Sequence, residues 1–458
     1  MNLTKELLLK YNIQGPRYTS YPPATFFHDA FTASDYQNAI IESNNQDPSN
    51  ISLYIHIPFC HKLCHFCGCH SIALNNQEKQ IDDYIKALIK EIVNVSNFIS
   101  KDRKVTQIHW GGGTPHSITE TKIAEIMNVI HNQFTVATDA EIAMECNPAY
   151  TDMNFFALLK TIGFNRISLG IQDFNPEVLK KVNRDSPKIS IKEIVSFLQN
   201  NNIGVNLDLI YGLPGQTVQD FFYSLEQSSE IKPDRIVTFS YAHVPWMKKS
   251  QKYLEKFEIP DPTEKFMMLL KAYDFFVSKN YIPIGMDHFA LANDELSVAL
   301  LNKKLHRNFQ GYSTKDRTGQ VYAFGVSGIS QLSHVYAQNT KDTTQYIADI
   351  SKNGLSIERG YLLTPDEIII RDVITEVMCN NYLNLKTIAS LHNVTSEHIK
   401  KIIRFNPDNF IELIEDGLIT LNNEELTVSE LGRFFIRNVA MMLDPKHEST
   451  ENRYSKTV

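Results

Sequence analysis

The sequence has no long hydrophobic run, no excess of basic residues and few cysteines for its length. No apolar stretch approaches the roughly 20 residues that a membrane-spanning helix needs. Lysine and arginine total 45 against 52 aspartates and glutamates, a net charge of −7, which gives no support to nucleic-acid binding. Six cysteines in 458 residues are too few for a disulfide framework. We therefore expect a globular protein of the reducing cytoplasm, without a membrane span.

The bulk composition is that of an ordinary folded protein. A hydrophobic fraction of 43% and a charged fraction of 21% are typical of globular domains. The length suffices for one large domain and a smaller one. The first residues, MNLTKELLLKYNIQG, contain a short apolar patch but no small-residue cleavage site, so we expect no signal peptide.

Four of the six cysteines lie close together, directly after a predicted strand. Apolar and polar residues alternate over residues 51–57, which is the period of a strand. Cys60, Cys64 and Cys67 follow in a C-x3-C-x2-C pattern, and Cys69 comes two residues later. Thiolates on such a loop are suited to binding metal.

Three interpretations of this cysteine group remain open. Closely spaced thiolates hold iron–sulfur clusters, and Cys69 would either complete the ligand set or leave one iron as an open Lewis-acidic position. Zinc is the second interpretation, although structural zinc sites usually draw on two separate knuckles. Cys146 and Cys379 lie far off and lack a C-x-x-C partner. In the third interpretation the cysteines bind no metal.

Predicted strands alternate with predicted helices from residue 51 to about residue 244. A helix is predicted at about 77–98, and a second near Ser117, where Ser117 and Glu120 have the spacing of a capping box. Further strands are predicted at 105–110, 141–146, 166–172, 205–211 and 235–241. The alternation predicts a parallel sheet with right-handed crossovers. Six strands are too few for a closed eight-fold barrel.

Candidate site residues follow the predicted strands, where parallel folds place their active sites. Glycines at 111–113 follow the second strand, Glu145 closes the third, Gln172 closes the fourth and Asp208 lies in the fifth. Each has a structural alternative, because a glycine run is often a tight turn and a glutamate is usually a surface residue. The convergence of these positions predicts a binding site at this edge of the sheet.

The cysteine motif resembles the signature of radical S-adenosylmethionine enzymes, in which three cysteines hold a four-iron cluster and the methionine group chelates the open iron. The longer run YIHIPFCHKLCHFCGC is similar to that of the oxygen-independent coproporphyrinogen III oxidases. The resemblance covers nearly the whole chain, through the further runs RYTSYP, GMDHFA, LHRNFQGY and AFGVSGISQL.

This resemblance implies an α/β fold with a partial (β/α)6 barrel of parallel strands, open on one side. The implied divisions are an N-terminal arm (1–50), a catalytic domain with an extension (51–362), a mainly helical C-terminal lid domain (363–443) and a polar, frayed tail (444–458).

The resemblance also implies the roles of individual residues. Cys60, Cys64 and Cys67 are the implied cluster ligands, whereas Cys69 is not a ligand. His56, four positions before the first ligand, is interpreted as catalytic through a hydrogen bond near the cluster or its ligand, although a strand histidine is more often structural. The implied S-adenosylmethionine contacts are Tyr54, Phe66, Gly112, Gly113, Thr114, Glu145, Gln172, Arg184, Asp208, Ala242 and Ile329.

Three further segments carry expectations. Residues 17–27, rich in aromatics and prolines, are either an extended strap or a gate over a flat apolar ligand. His306, Arg307 and Tyr312 are suited to gripping a carboxylate on an aromatic macrocycle, unless their loop is purely structural. Residues 413–439 predict a helix, a hairpin and a helix, and their acidity argues against DNA binding.

The chemistry implied by the resemblance is oxidative decarboxylation in haem biosynthesis. A reduced [4Fe–4S] cluster cleaves S-adenosylmethionine to methionine and a 5′-deoxyadenosyl radical, which removes a hydrogen from the β-carbon of a propionate of coproporphyrinogen III. Loss of carbon dioxide and one electron leaves a vinyl group, and two rounds give protoporphyrinogen IX.

The resemblance further implies a second S-adenosylmethionine, an electron-donor protein such as a flavodoxin or ferredoxin, a final electron acceptor of unknown identity, and a monomer. Alternatives on the same scaffold are a haem-trafficking relative and a radical methyltransferase or cyclopropanase. A structural metal-binding protein is the alternative from another class.

Overall fold

A computed structural model describes residues 4–74, 78–447, 454 and 456. Its first half consists of α1 (Lys5–Tyr11), α2 (Ala33–Ser43), β1 (Ile51–Ile57), β2 (Phe59–Cys60), β3 (Ile72–Ala73), α3 (Glu78–Ser96), β4 (Lys104–Gly112), α4 (Glu120–Gln133), β5 (Thr135–Cys146), α5 (Met153–Ile162), β6 (Arg166–Gln172), α6 (Pro176–Lys181), α7 (Ile191–Asn200), β7 (Gly204–Tyr211), α8 (Val218–Ile231) and β8 (Arg235–Ser240).

The second half begins with an extension of the sheet and ends in a mainly helical region. The extension consists of α9 (Pro262–Ser278), β9 (Tyr281–Ile284), β10 (His288–Leu291), α10 (Glu295–Leu301), β11 (Leu305–Asn308), β12 (Gly311–Thr314), β13 (Gln320–Phe324), β14 (Ile329–Gln331), β15 (Val335–Asn339), α11 (Thr343–Asn353) and β16 (Ile357–Leu362). The helical region consists of α12 (Pro365–Asn380), β17 (Tyr382–Asn384), α13 (Leu385–His392), α14 (Ser396–Ile402), α15 (Ile411–Glu415), β18 (Ile419–Asn422), β19 (Glu425–Val428) and α16 (Ile436–Met441).

The six predicted strands form the parallel centre of one large sheet, in the order β1-β4-β5-β6-β7-β8. The full order is β16-β15-β14-β13-β1-β4-β5-β6-β7-β8-β10-β9, so β16 and β9 are its two edges. Because these edges do not pair with each other among the described residues, the barrel is open. The predicted α/β fold with a partial six-unit barrel is confirmed.

The sheet is wider than the sequence predicted. β13 pairs with β1 in parallel, and β14, β15 and β16 continue the sheet in antiparallel fashion beyond it. Every residue of β13 is buried, so its sequence lacks the alternation of apolar and polar residues that marks a half-exposed strand.

The helix after the glycine run begins later than predicted. α4 begins at Glu120, with Thr119 before it as the N-cap. The Ser117 hydroxyl donates instead to the carbonyl oxygen of Phe59, at 3.0 Å. The predicted capping box is therefore wrong, because Ser117 fixes the backbone beside the first cysteine. The helix predicted at about 77–98 is α3, and Gln77 lies outside the described residues.

The N-terminal arm is more regular than an extended strap. α2 begins with a capping box between Thr32 and Asp35, and the buried Tyr36 hydroxyl hydrogen-bonds to Ser330 at 2.8 Å. The ring of Tyr11, in α1, lies 5.3 Å from that of Phe435 between centroids. The arm thus contacts both the sheet and the C-terminal region, and only the segment between its helices is largely irregular.

The C-terminal region contains the predicted helix, hairpin and helix, as α15, β18–β19 and α16, and β17 adds a third strand to the hairpin. It packs on α9, where Tyr273 donates to Glu430 at 2.9 Å. The predicted fraying of the tail is wrong at its start, since Asp444 is buried and accepts a hydrogen bond from Tyr18 at 2.9 Å. The rest of the tail, apart from residues 454 and 456, lies outside the described residues. Within the described part of the chain, none of the helices combines the length and apolarity that crossing a bilayer takes.

A buried carboxyl group joins α3 to the strands at the far side of β1. Glu91 is 2% exposed and accepts hydrogen bonds from the Tyr346 hydroxyl (2.6 Å), Asn339 Nδ2 (2.7 Å) and the Gly325 amide (2.8 Å). Burial raises the pKa of Glu91 to about 7, and these three donors oppose the rise. The folded protein therefore binds this proton more tightly than the unfolded chain does.

This difference predicts a pH-dependent contribution to stability. The contribution is fully present below the ordinary carboxyl pKa and is lost as the pH rises through about 7. Relative to Glu91→Gln, which cannot titrate, the parent's free energy of unfolding should fall by about 2 kcal/mol between pH 5 and pH 8. Denaturant unfolding at several pH values measures this difference. Glu226→Gln, at an exposed position of α8, is the control. A constant difference between the parent and Glu91→Gln would contradict the prediction.

Candidate active site

A cavity of about 640 Å³ runs from the carboxyl ends of the parallel strands into the barrel. Its wall includes most of the predicted site residues, namely Cys60, Cys64, Phe66, Cys67, Gly112, Gly113, Thr114, Glu145, Gln172, Arg184, Asp208 and Ala242. Tyr54, His56 and Ile329 are not part of this wall. Positions far apart in sequence meet here because parallel strands bring their carboxyl ends to one edge of the sheet.

Cys60 ends β2, and Cys64, Cys67 and Cys69 lie on the loop between β2 and β3. Cys60 is buried, Cys64 and Cys67 are half-buried, and Cys69 is exposed. Burial raises the pKa of Cys60 to about 11 and also raises that of Cys64, although Arg184 opposes the rise at Cys64. Hydrogen bonding from the Cys69 thiol lowers the pKa of Cys67. A metal that binds these thiols must therefore displace protons from at least two of them.

The arrangement of donors fits an iron–sulfur cluster better than a single metal ion. Among the described residues, no three His, Cys, Asp or Glu side chains converge closely enough to hold one ion. Cys60, Cys64 and Cys67 instead border a cavity with room beside their sulfur atoms. A cluster binds each thiolate at a separate iron, so it does not require the sulfur atoms to converge on one point.

The glycines after β4 are required by packing against the cysteine loop. The Gly113 amide donates to the carbonyl oxygen of Ile57 at 2.8 Å. A Cβ atom on Gly113 would lie 2.5 Å from the carbonyl oxygen of Pro58. Gly112 has a φ of +111°, and a Cβ atom there would lie 2.6 Å from the ring of His56. This turn therefore holds the loop in place as well as lining the cavity.

His56 has both ring nitrogens engaged by protein groups. Its Nε2 lies 3.1 Å from the carbonyl oxygen of His70, so Nε2 donates, and Nδ1 then accepts from the Tyr54 hydroxyl at 3.1 Å. Burial lowers the pKa of His56 to about 4, which keeps the ring neutral at physiological pH. This geometry favours a positioning role, holding the end of the cysteine loop, over the predicted catalytic one.

Glu145 faces the cavity with a side chain that is 42% exposed. His109 Nε2 lies 3.1 Å from its Oε1. Burial lowers the pKa of His109, but the hydrogen bond and charge of Glu145 outweigh burial and raise it. Gly111 allows this carboxylate to lie against the backbone of β4, since a Cβ atom there would be 2.8 Å from Oε1. The carboxylate is thus held at the cavity wall, and its contact with a ligand stays a prediction.

His109 was not predicted as a site residue. It lies two residues before Gly111 and on the same face of β4, so the two-residue period of the strand could have identified it.

Gln172 and Arg184 lie together at the end of β6. Gln172 has a φ of +71°, a left-handed conformation that is uncommon for a residue other than glycine. Arg184 donates through Nη2 to the carbonyl oxygen of Gly170 and lies 3.5 Å from the Cys64 sulfur through Nη1. The guanidinium group therefore links the strand end to the cysteine loop.

Asp208 forms a polar group with two residues that the sequence did not single out. It accepts hydrogen bonds from the Ser168 hydroxyl and from Asn206 Nδ2, both at 2.7 Å. Burial raises the pKa of Asp208 to about 6 despite these donors. Asn206 and Asp208 are two residues apart and share one face of β7. This spacing could have identified Asn206 from the prediction of Asp208.

Ile329 begins β14, which lies beyond β13 from the parallel strands. It packs with an apolar group that includes Tyr336 and Leu363. The structure therefore does not bring Ile329 to the cavity wall, where it was expected to line adenine, whereas Phe66 and Ala242 do lie in that wall.

Three arginines lie close together beside this cavity and a second one of about 390 Å³. Arg17 lines both cavities and pairs with Asp287 at 3.2 Å. Arg307 lines neither cavity, but it donates to the carbonyl oxygen of Arg17 at 2.7 Å. Its buried Nε has no hydrogen-bond partner among the described residues. Arg437 lines the second cavity and donates to the carbonyl oxygen of Pro16 at 2.9 Å. We call Arg17, Arg307 and Arg437 the arginine wall.

Of the three residues predicted to grip a carboxylate, two lie at this wall. Arg307 belongs to it, and Tyr312 lines the first cavity. His306 lies instead near Arg371 and Lys315, and burial lowers the pKa of its ring to about 4. The structure therefore does not place His306 with the other two.

Comparison with known proteins identifies the family. Residues 54–227 match the model of the Radical SAM superfamily. A Synechocystis protein named oxygen-independent coproporphyrinogen III oxidase is 38% identical over 100% of this chain and 98% of its own length. The chain belongs to the oxygen-independent coproporphyrinogen III oxidase family. An Escherichia coli relative of the same name is 38% identical over 96% of this chain and 94% of its own length.

A solved structure shows the same family fold. The structure of coproporphyrinogen III oxidase from Escherichia coli, described as a radical SAM enzyme, has a TM-score of 0.88 with this chain at 36% identity, covering 96% of this chain and 98% of that one. Radical SAM proteins use a [4Fe–4S] cluster and S-adenosylmethionine. The cysteine loop and the cavity beside it fit both groups.

The packing of the glycine turn leads to a prediction about cluster assembly. Gly113→Ala would force the Pro58 carbonyl away from its position, since its Cβ atom would lie 2.5 Å from that oxygen. We expect the variant to bind less than half of the parent's iron and sulfide after anaerobic reconstitution, and to lose about 1–3 kcal/mol of unfolding free energy. Gly68→Ala is the matched control, because a Cβ atom there meets nothing within 4 Å. Equal iron loading in both variants would show that this contact is not required.

Proposed function

We propose that this chain converts two propionate side chains of coproporphyrinogen III to vinyl groups, giving protoporphyrinogen IX. The observation that carries the proposal is the extent of the family likeness, which runs through the N-terminal arm and the C-terminal region as well as the barrel. The haem-trafficking and methyltransferase alternatives would need only the shared barrel. Each propionate loses one hydrogen atom, one carbon dioxide and one electron.

The proposed division of work keeps the reactive steps inside the cavity. When bound, the cluster and S-adenosylmethionine supply one-electron reduction and abstraction of hydrogen from the substrate. We assign Cys60, Cys64 and Cys67 as cluster ligands. The remaining wall residues bind and orient the S-adenosylmethionine and exclude water. Arg184, beside the cysteine loop, is suited to its carboxylate, and Glu145 is suited to its ammonium or ribose hydroxyl groups.

We further propose a second S-adenosylmethionine beside the first, an external one-electron donor protein, and a monomeric enzyme in the cytoplasm. The second cavity adjoins the first through the shared wall residues Tyr241 and Ala242, which supports room for more than one ligand. All six cysteines are free, which supports a reducing compartment.

We also propose that residues 363–443 act as a lid over the open barrel. This region contacts α9 through the hydrogen bond of Tyr273 to Glu430. It contacts the arm through Arg437, and β11 through a hydrogen bond between the Leu305 amide and the Asn380 side chain at 3.2 Å. These contacts support a covering position between the arm and the extension of the sheet.

The substrate carboxylates are proposed to bind at the arginine wall. Three guanidinium groups lie close together there, and the carboxylate of Asp287 pairs with one of them, that of Arg17. Burial raises the pKa of Asp287, but His288, Arg17 and Arg307 outweigh burial and lower it, so this carboxylate stays charged. The buried Nε of Arg307 has no hydrogen-bond partner among the described residues, so it is a donor whose hydrogen bond an incoming propionate would complete.

The function is tested by anaerobic reconstitution with iron and sulfide, followed by assay of protoporphyrinogen IX by chromatography. We expect turnover that requires S-adenosylmethionine and a reductant. Cys64→Ser should abolish turnover and the reduced cluster's EPR signal. Cys69→Ser, on the same loop, should keep the signal and its change on adding S-adenosylmethionine. A fully loaded parent that fails to convert coproporphyrinogen III would reject the proposed function, and loss of the cluster in Cys69→Ser would reject the proposed ligand set.

The role of the arginine wall leads to a separate prediction. Arg307→Met should raise the KM for coproporphyrinogen III by about tenfold or more, because a charge-assisted hydrogen bond is lost, and should leave iron content unchanged. Arg307→Lys should recover part of the affinity, since it keeps the charge. Arg359→Met, at a half-buried arginine of β16 outside the arginine wall, is the control. An unchanged KM in Arg307→Met would remove this residue from the substrate site.

A further inference from the structure

A lysine-rich segment after β8 is hydrogen-bonded directly to the cysteine loop. Lys248 Nζ donates to the carbonyl oxygen of Cys69 at 2.9 Å, and Gln251 Nε2 donates to that of Phe66 at 3.1 Å. Ser250 donates to the carbonyl oxygen of His65 at 3.3 Å. The surface of this segment therefore lies one layer of chain away from the proposed cluster ligands.

The segment has a small excess of positive charge in an acidic protein, since residues 244–258 contain four lysines and two glutamates. Lys249, Lys252 and Lys256 are exposed, and none of them forms an ion pair with a described residue. The Nζ of Lys256 lies 3.9 Å from the centre of the Tyr253 ring. The chain as a whole carries a net charge of −7, so this local excess of positive charge runs against the overall balance. It would attract a negatively charged partner to this place in particular.

Exposed apolar side chains lie within the same segment. Trp246 is 60% exposed, Met247 is 70% exposed and Tyr253 is 45% exposed. The ring of Tyr253 also lies 4.4 Å from that of His65, on the cysteine loop. Apolar and aromatic side chains with charged residues around them are typical of protein interaction sites. The exposure of these three side chains in one segment therefore favours an interaction surface over a purely structural role.

We propose that this surface, formed by Trp246, Met247, Lys249, Lys252 and Lys256, docks a small acidic one-electron carrier protein that reduces the cluster. We call it the lysine surface. The inference rests on the proposed function, because the proposed chemistry requires an electron for each S-adenosylmethionine cleaved. In the docked complex the carrier loses one electron and the cluster gains it, so no further reactant is needed. Charge attraction would speed encounter, while the small apolar patch would keep the complex short-lived.

The test compares three forms of the reconstituted enzyme: the parent, a variant with Lys249→Glu, Lys252→Glu and Lys256→Glu, and a matched control with Lys352→Glu, Lys386→Glu and Lys401→Glu. The control makes the same change in net charge at exposed positions elsewhere. The probe is a purified flavodoxin in its fully reduced form. Stopped-flow bleaching of the cluster measures electron transfer, and titration calorimetry with oxidised flavodoxin measures binding without any turnover.

We expect the lysine-surface variant to be reduced by flavodoxin at least tenfold more slowly at low ionic strength, with a weaker dependence on salt, whereas the control stays close to the parent. Binding by calorimetry should weaken in the same variant only. Reduction by dithionite and iron content should be equal in all three forms, which separates loss of docking from loss of the cluster.

Two results would overturn the inference. One is a lysine-surface variant that flavodoxin binds and reduces as fast as the parent. The other is a parent that sediments as a dimer and a variant that sediments as a monomer with unchanged flavodoxin kinetics, which would assign the surface to a second copy of this chain. Failure of the proposed function would appear differently, as an absence of coproporphyrinogen III turnover even with dithionite as the reductant.

Discussion

The site depends on a backbone contact between the turn after β4 and the strand that leads into the cysteine loop. β1 and β4 pair in parallel up to Ile57 and Gly112, and the next amide, that of Gly113, donates back to Ile57. Because a main-chain carbonyl lies where a side chain on Gly113 would be, the two segments approach as closely as their backbones allow. The position of the first cysteine thus follows from sheet register.

The opposite end of the barrel is fixed by charge. Glu141 accepts from Arg166 Nε at 2.6 Å, and Arg235 Nε donates to Asp294 at 2.9 Å. Burial raises the pKa of Glu141, but Arg166 and Arg235 outweigh burial and lower it, so the carboxylate remains ionised inside the barrel. Removing one partner from such a buried network is costly. These ion pairs tie the starts of β6 and β8 to β5 and to α10, and they form the floor of the main cavity.

The sequence predicted the local features well and the long-range ones poorly. The six strands and the cysteine loop could be predicted because each is encoded by a short pattern of its own. β13 could not, since a fully buried strand shows no alternation and its partner β1 is distant along the chain. The arginine wall could not be predicted either, because Arg307 and the residue it binds, Arg17, are 290 positions apart.

The two cationic groups, the arginine wall and the lysine surface, are built from different parts of the chain. The arginine wall is built from the arm, the extension and the C-terminal region, so it exists only when all three are docked. The lysine surface belongs to one segment that is bonded to the cysteine loop. Substrate carboxylates and an acidic carrier would both be drawn by positive charge. Arg17 lines the same cavity as Cys60, Cys64 and Cys67, whereas Lys249, Lys252 and Lys256 are exposed. A protein carrier is too large to enter that cavity, so the two cationic groups would attract different partners.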